Sequence, residues 1–177
     1  MFCLPILRFD GSELTEDSSV AEYCILRTEA TVKIPTDVDP ATYAPILCAG
    51  VTVFNSMRQM NIMSGETVAI QGLGGLGHLA IQYANKMGYK VVALSSTGTK
   101  EKFAKDLGAH VYIDGSKENH AEALTKMGGA AMIVSTAPNP EIMGDLVNGL
   151  SAGGKLVLLS RKFAAAFPFL VLLYSRN

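Results

Sequence analysis

At 177 residues, with 49% apolar and 18% charged side chains, the chain has the composition of a globular domain with a single core, and nothing in it favours disorder. A net charge of −1, no basic run and no aromatic cluster interleaved with arginine argue against a nucleic-acid partner and point to a small-molecule ligand. Cys3, Cys24 and Cys48 form no C-x-x-C pair and have no histidine close in sequence, so a zinc cage is not expected and a reduced, cytoplasmic chain is.

The N-terminal apolar stretch stops at Arg8 and Asp10, too short for a signal peptide. Residues 1–20 have no sustained period and carry turn-like clusters at Asp10-Gly11-Ser12 and Glu16 to Ser19. Strand-like stretches follow at Tyr23 to Leu26 and Thr31 to Ile34, stopped by Pro35. Asp39 before Pro40 predicts a helix start, with aspartate as N-cap and proline in the first turn, leading into Tyr43, Ile46 and Leu47. A second helix is predicted from Val51, Phe54, Met57 or Arg58, and Ile62, ending before Ser64-Gly65. Met57, Met60 and Met63 are expected to fill gaps in the core.

Residues 67–78, TVAIQGLGGLGH, organise the rest of the chain. Thr67 to Gln71 suits a buried parallel strand, and Gly72, Gly74 and Gly77 fall at G-x-G-x-x-G spacing. Leu76, Ala80, Tyr83, Ala84 and Met87 then recur at helical intervals up to Gly88, which stands where a C-terminal cap is expected. In that order, Gly72 permits the tight turn, Gly74 lets backbone approach a pyrophosphate, and Gly77 lets the helix pack on the strand. Leu73, Gly75 and Leu76 complete the turn, and the N–H groups and dipole of the helix N-terminus supply the anion site.

The alternation continues with a strand at Lys90 to Leu94 and a helix from about Lys100 to Leu107 that ends at Gly108. Strands at Val111 to Ile113, Met132 to Val134 and Lys155 to Leu159 alternate with helices at Glu118 to Met127 and Glu141 to Leu150. The fold expected is α/β, a doubly wound parallel sheet with its ligand at the carboxyl ends of the strands. The run from Phe163 to Tyr174 contains Pro168 and falls below the roughly 18 apolar residues of a membrane span; FLVLLY within it could serve as an edge strand.

An NAD-preferring site places a carboxylate near the end of the second strand, about 20 residues past the glycine motif. Here that stretch reads ALSSTGTKEK. Ser95, Ser96 and Thr97 offer hydroxyls and Lys100 a positive charge, a set that suits a 2′-phosphate and favours NADP(H), with Glu101 expected to point away along its helix.

AEYC, the IP step, PILCAGVTVF, GLGGLGH and SSTGTK together resemble the zinc-containing medium-chain alcohol dehydrogenases, in particular their NADP-dependent, cinnamyl alcohol dehydrogenase-like branch, over about residues 21–160. The resemblance implies a Rossmann domain over 48–160, a remnant of a GroES-like catalytic domain over 1–47 and a divergent apolar tail over 161–177. It implies hydride transfer between NADP(H) and an alcohol or aldehyde at a zinc ion. By it, Cys48 matches a catalytic zinc ligand and Thr52 a residue beside the nicotinamide. Ser135, Thr136 and Ala137 match the wall of the nicotinamide ribose site, and Leu159 and Ser160 the strand end near that ring.

Family members also carry an earlier cysteine, a His-Glu pair and a four-cysteine lobe, none of which stands in this sequence. His78, His110 and His120 all fall within the nucleotide fold, and His78 is expected to be a packed or capping residue. The reading is therefore the NADP(H)-binding portion of such an enzyme, truncated at both ends, without zinc-dependent activity of its own and able to form a homo-oligomer. A zinc-free reductase of the quinone oxidoreductase kind and a non-catalytic NADP(H)-binding module are the alternatives.

Overall fold

Short runs of valine, isoleucine and alanine, buried on both faces, make strands that need helices above and below them. In the computed structural model, which describes residues 33–137, 140–159 and the backbone of 172–175, they form one sheet. Its strands are β1 (Thr67–Gln71), β2 (Lys90–Ser95), β3 (Val111–Asp114), β4 (Ala130–Ser135), β5 (Leu150–Leu158) and β6 (Leu172–Ser175). Their spatial order is β3-β2-β1-β4-β5-β6. β1 to β5 are parallel, as expected of a doubly wound sheet, and β6 lies antiparallel on β5. The edge strand within the apolar tail thus runs against the rest.

The helices are α1 (Pro40–Tyr43), α2 (Ala49–Arg58), α3 (Gly75–Lys86), α4 (Glu101–Asp106), α5 (His120–Lys126) and α6 (Pro140–Leu146). Strand residues alternate between two core layers. Val68, Ile70, Val91, Ala93 and Val134 face the layer that holds Val53 and Met57 of α2 and Ala80, Ile81 and Ala84 of α3. Ala69, Val92, Leu94 and Ile133 face the layer with Leu124 of α5 and Leu146 of α6. Helices on both sheet faces with a Rossmann-like strand order give the predicted α/β class.

The described residues divide between Cys48 and Ala49 into two compact units. In the first, Asp39 caps α1 as predicted, accepting from the backbone N–H of Ala41 (3.3 Å) and Thr42 (3.0 Å) with Pro40 in the first turn, and a 3-10 turn follows over Ala44–Leu47. The strand expected at Tyr23 to Leu26 lies outside the described residues, and Lys33 and Ile34 belong to no regular element.

The structure corrects the expectations for α2, for the methionines and for the region of α6 and β5. The helix through Val51 stops at Arg58 and does not reach Ile62, because Asn61 takes a left-handed conformation (φ 52°) that turns the chain out of the helix. Its buried stripe is Val53, Ser56 and Met57, while Val51 and Phe54, expected to face inward, are 54% and 43% exposed. Met57 and Met60 do fill the core, but Met63 is 73% exposed. The helix expected to run to Leu150 ends at Leu146 in a 3-10 turn over Val147–Gly149, and Leu150 already belongs to β5. β5 is longer than expected because Gly153, at φ 72°, carries the strand through a register shift that looks like a turn in sequence.

Candidate functional site

At the sheet centre β1 and β4 are neighbours although the chain passes through β2 and β3 between them. Such a switch point opens a crevice at the carboxyl ends of the strands. The glycine turn sits there. Gly72 leaves β1 at φ 90°, its N–H donating to the Leu94 carbonyl (3.1 Å), and a Cβ on it would lie 2.8 Å from Thr136 Oγ1 and 2.9 Å from Ala137 Cβ. A Cβ on Gly77 would meet the Gly72 carbonyl oxygen at 1.8 Å, so the first turn of α3 packs directly on the end of β1.

Gly74 and Gly75 differ: nothing lies within 4 Å of a Cβ built on either. Gly74 is the N-cap of α3 and provides no side-chain hydrogen bond, so the first-turn N–H groups face this open space without a capping oxygen. Leu73 is buried and Leu76 half-buried against the core, which leaves their backbone as the part turned toward a ligand. An uncapped α3 N-terminus lined by two glycines fits the pyrophosphate of a dinucleotide.

The β4 end braces this cradle. The Thr136 hydroxyl lies 2.9 Å from the Gln71 carbonyl and 3.0 Å from that of Gly72, and the Thr136 N–H donates to Gln71 O at 2.9 Å. Ser135 is fully buried, and its hydroxyl donates to the Gln71 side-chain oxygen at 2.7 Å. Both hydroxyls are thus engaged within the fold, joining residues more than 60 apart in sequence. Leu159 continues from β5, its N–H on the Ser135 carbonyl (2.9 Å) and its side chain half-buried on the core. Ser160 lies outside the described residues.

The β2 tip lies beside the cradle. Ser95 is buried, whereas Ser96, Thr97 and Lys100 are exposed. The Thr97 carbonyl accepts from the Tyr112 hydroxyl, and the Lys100 ammonium donates across to the Leu73 carbonyl at 3.5 Å. Glu101 turns away along α4 to pair with Lys105 at 2.7 Å. Asp114, at the end of β3, packs under Gly98 with Oδ2 only 2.8 Å from where a Cβ there would stand. Hydrogen bonds from the Ser116 hydroxyl (2.7 Å) and N–H (3.0 Å), and then the Lys117 ammonium at 3.7 Å, hold its carboxyl below the usual range.

Sequence reasoning did not single out the cleft next to Ser96. It measures about 280 Å³ and is lined by Gly115, Asn119, His120, Ile142 and Asp145. His120 is buried, its Nε2 within 3.1 Å of the Ser95 carbonyl, which also accepts from the Gly115 N–H at 2.7 Å. Only the general position, just past strand ends, could have flagged these residues. His78 is a packed residue, with Gln82 Nε2 at 3.2 Å from its Nδ1 and its ring stacked on Phe103.

Cys48 ends the first unit, half-buried, and Thr52 is exposed on α2. Among the described residues no group of three or more His, Cys, Asp or Glu could hold a metal ion. Catalytic zinc takes about three protein ligands, and the described residues do not supply such a set. No helix among the described residues is long and apolar enough to cross a membrane.

Residues 75–175 match the zinc-binding dehydrogenase family. The alcohol dehydrogenase patD of Aspergillus clavatus is 65% identical over 147 residues, covering 83% of this chain and 38% of that protein. The alcohol dehydrogenase notN of an Aspergillus species is 56% identical over 146 residues, covering 82% of this chain and 43% of its own length. Among solved structures, a quinone oxidoreductase from Pseudomonas syringae pv. Tomato superposes with a TM-score of 0.69 at 26% identity, covering 75% of this chain and 42% of that one. The chain spans about two fifths of the length of the curated relatives it matches.

Proposed function

Because the chain belongs to the zinc-binding dehydrogenase family, we propose that its second unit binds NADP(H) and forms the nucleotide half of an alcohol dehydrogenase. The open, uncapped cradle at Gly74 is the observation that carries this reading. Bound there, the nicotinamide cofactor supplies the hydride donor or acceptor for an alcohol–aldehyde interconversion. The chain's own part is to hold the pyrophosphate on the α3 N–H groups, to brace that turn through Thr136 and Gln71, and to present Ser96, Thr97 and Lys100 to the adenosine end. The cleft beside Ser96 is where the base of that end would enter.

Lys100, preceded by the hydroxyls of Ser95, Ser96 and Thr97 with no acidic residue between Ser95 and Lys100, supports NADP(H) over NAD(H). Residues 1–47 are assigned to a remnant of a catalytic domain of the GroES-like kind, with Cys48 the counterpart of a zinc ligand of the family and Thr52, in the second unit, that of a residue beside the nicotinamide. The likeness to a quinone oxidoreductase favours a second reading, a metal-independent reductase. The higher identity to alcohol dehydrogenases puts the first ahead.

Deuteride transfer from labelled NADPH to aldehydes and to quinones, with and without added Zn²⁺, separates the two. NADPH binding without transfer by this chain alone fits the nucleotide half of a larger dehydrogenase. Metal-independent quinone reduction would move the reading to the second, and failure to bind NADPH would end both.

A further inference from the structure

α4 is six residues long, and it is held against the sheet by Ala104 alone among its fully buried side chains. A different contact holds its first turn. Phe103, although 45% exposed, lays its ring against His78 with centroids 5.6 Å apart and planes 29° from parallel. His78 is fixed in turn on α3 by Gln82, whose Nε2 lies 3.2 Å from His78 Nδ1 and 3.3 Å from its carbonyl oxygen. The imidazole is therefore a set platform one turn past the Gly74 cap, the His78 backbone N–H bonded to Gly74 O at 2.8 Å.

Lys100 stands at the N-cap position of α4, three residues before Phe103, so the two side chains leave the same side one turn apart. The other cations of α4 are taken up by neighbouring carboxylates, Lys102 by Asp106 and Lys105 by Glu101, each at 2.7 Å. Lys100 has no carboxylate within ion-pair distance among the described residues and reaches Leu73 O, inside the glycine turn, at 3.5 Å. The first turn of α4 is thus joined to α3 by Phe103 on His78 and to the glycine turn by Lys100 on Leu73, which sets the ammonium beside the cradle.

We propose that the His78–Phe103 stack is a positioning device for Lys100: it holds the first turn of α4 so that the ammonium meets the 2′-phosphate of a dinucleotide, and it thereby sets the preference for the phosphorylated cofactor. A lysine is otherwise free over several rotatable bonds, and a six-residue helix anchored only at Ala104 would let its first turn drift. The inference rests on the NADP(H) reading, and the test keeps the two apart.

Dissociation constants for NADPH and NADH, measured by nicotinamide fluorescence on the full chain and on Phe103→Ala, Phe103→Tyr, His78→Ala, Lys100→Ala and the Phe103→Ala/Lys100→Ala pair, decide it. Removing either ring is expected to weaken NADPH about three- to tenfold and NADH less than about twofold, with Phe103→Tyr restoring the parent value. In the Lys100→Ala background, Phe103→Ala should add nothing, since the two act through one contact. Equal weakening of both nucleotides, or an undiminished effect of Phe103→Ala when Lys100 is absent, would overturn the positioning role while leaving NADP(H) binding intact. A parent chain that binds neither nucleotide would instead overturn the proposed function itself, and the positioning role with it.

Discussion

Gly77→Ala and Gly74→Ala should part company, because the two glycines are needed for different reasons. A Cβ at position 77 would stand 1.8 Å from the Gly72 carbonyl oxygen and 2.9 Å from its carbon. An ordinary C···O contact is about 3.3 Å or more, so a separation of roughly 1.5 Å has to be found. Neither partner is free to give it: the obstacle is backbone, Gly72 is itself wedged against Thr136 and Ala137, and α3 is anchored by the fully buried Ala80, Ile81 and Ala84. Overpacking of this kind costs about 2–3 kcal/mol, near the top of the usual range, which lowers the thermal midpoint by about 6–15 °C in a domain of this size. At position 74 nothing lies within 4 Å, and φ −92°, ψ −162° is open to any residue. There alanine leaves stability unchanged or raises it by up to about 1 kcal/mol through the unfolded chain, while its methyl group takes the space assigned to the pyrophosphate and weakens NADPH. Thermal unfolding followed by circular dichroism, paired with a nucleotide titration of each variant, reads both effects. A Gly77→Ala midpoint equal to the parent's, or a Gly74→Ala loss of stability as large as that of Gly77→Ala, would refute the assignment.

Ser135→Ala leaves the buried Gln71 side-chain oxygen without the hydroxyl that serves it at 2.7 Å, and urea unfolding should record a loss of about 1–3 kcal/mol, partly recovered when Gln71→Met is added. Met57→Ala, at a fully buried site, should cost about 2–5 kcal/mol, whereas Phe54→Ala, at an exposed one with a single edge contact to Tyr83, should cost about 1 kcal/mol or less; the reverse order would contradict the burial of the Val53–Met57 face of α2. Because the Ser116 hydrogen bonds and then Lys117 lower the Asp114 carboxyl, its contribution is present above the unfolded value, 3.8, and is lost as pH falls through the still lower folded value. The acid limb of a stability-versus-pH curve should therefore flatten in Asp114→Asn, and an unchanged limb would count against that bonding.

The glycine turn and the βα alternation were legible because their signals are local: a strand run, three spaced glycines and a periodic helix lie within about 20 residues of sequence. The face of α2 was not, since Val51, Phe54 and Met57 compete with Val53 and Met57 for one helical stripe, and only packing on the sheet selects the second. Likewise, SAGG in β5 has turn composition, and it is carried within the strand because Leu150 before it and Lys155 to Leu158 after it both pair with β4 across a register shift. Within the site, the cradle glycines could be named in advance, but the engagement of Ser135 and Thr136 by Gln71 and Gly72 depends on residues brought together from 64 or 65 positions apart. The same holds for His120 on Ser95 and Phe103 on His78, contacts between elements that no sequence period connects.

The most direct test of NADP(H) binding is a calorimetric titration of the full chain with NADPH and, separately, NADH at the same ionic strength. Saturable one-to-one binding of NADPH, tighter than NADH and weakened by salt, is the result expected from an uncapped helix N-terminus beside Lys100. Heat of dilution alone with both nucleotides would contradict it.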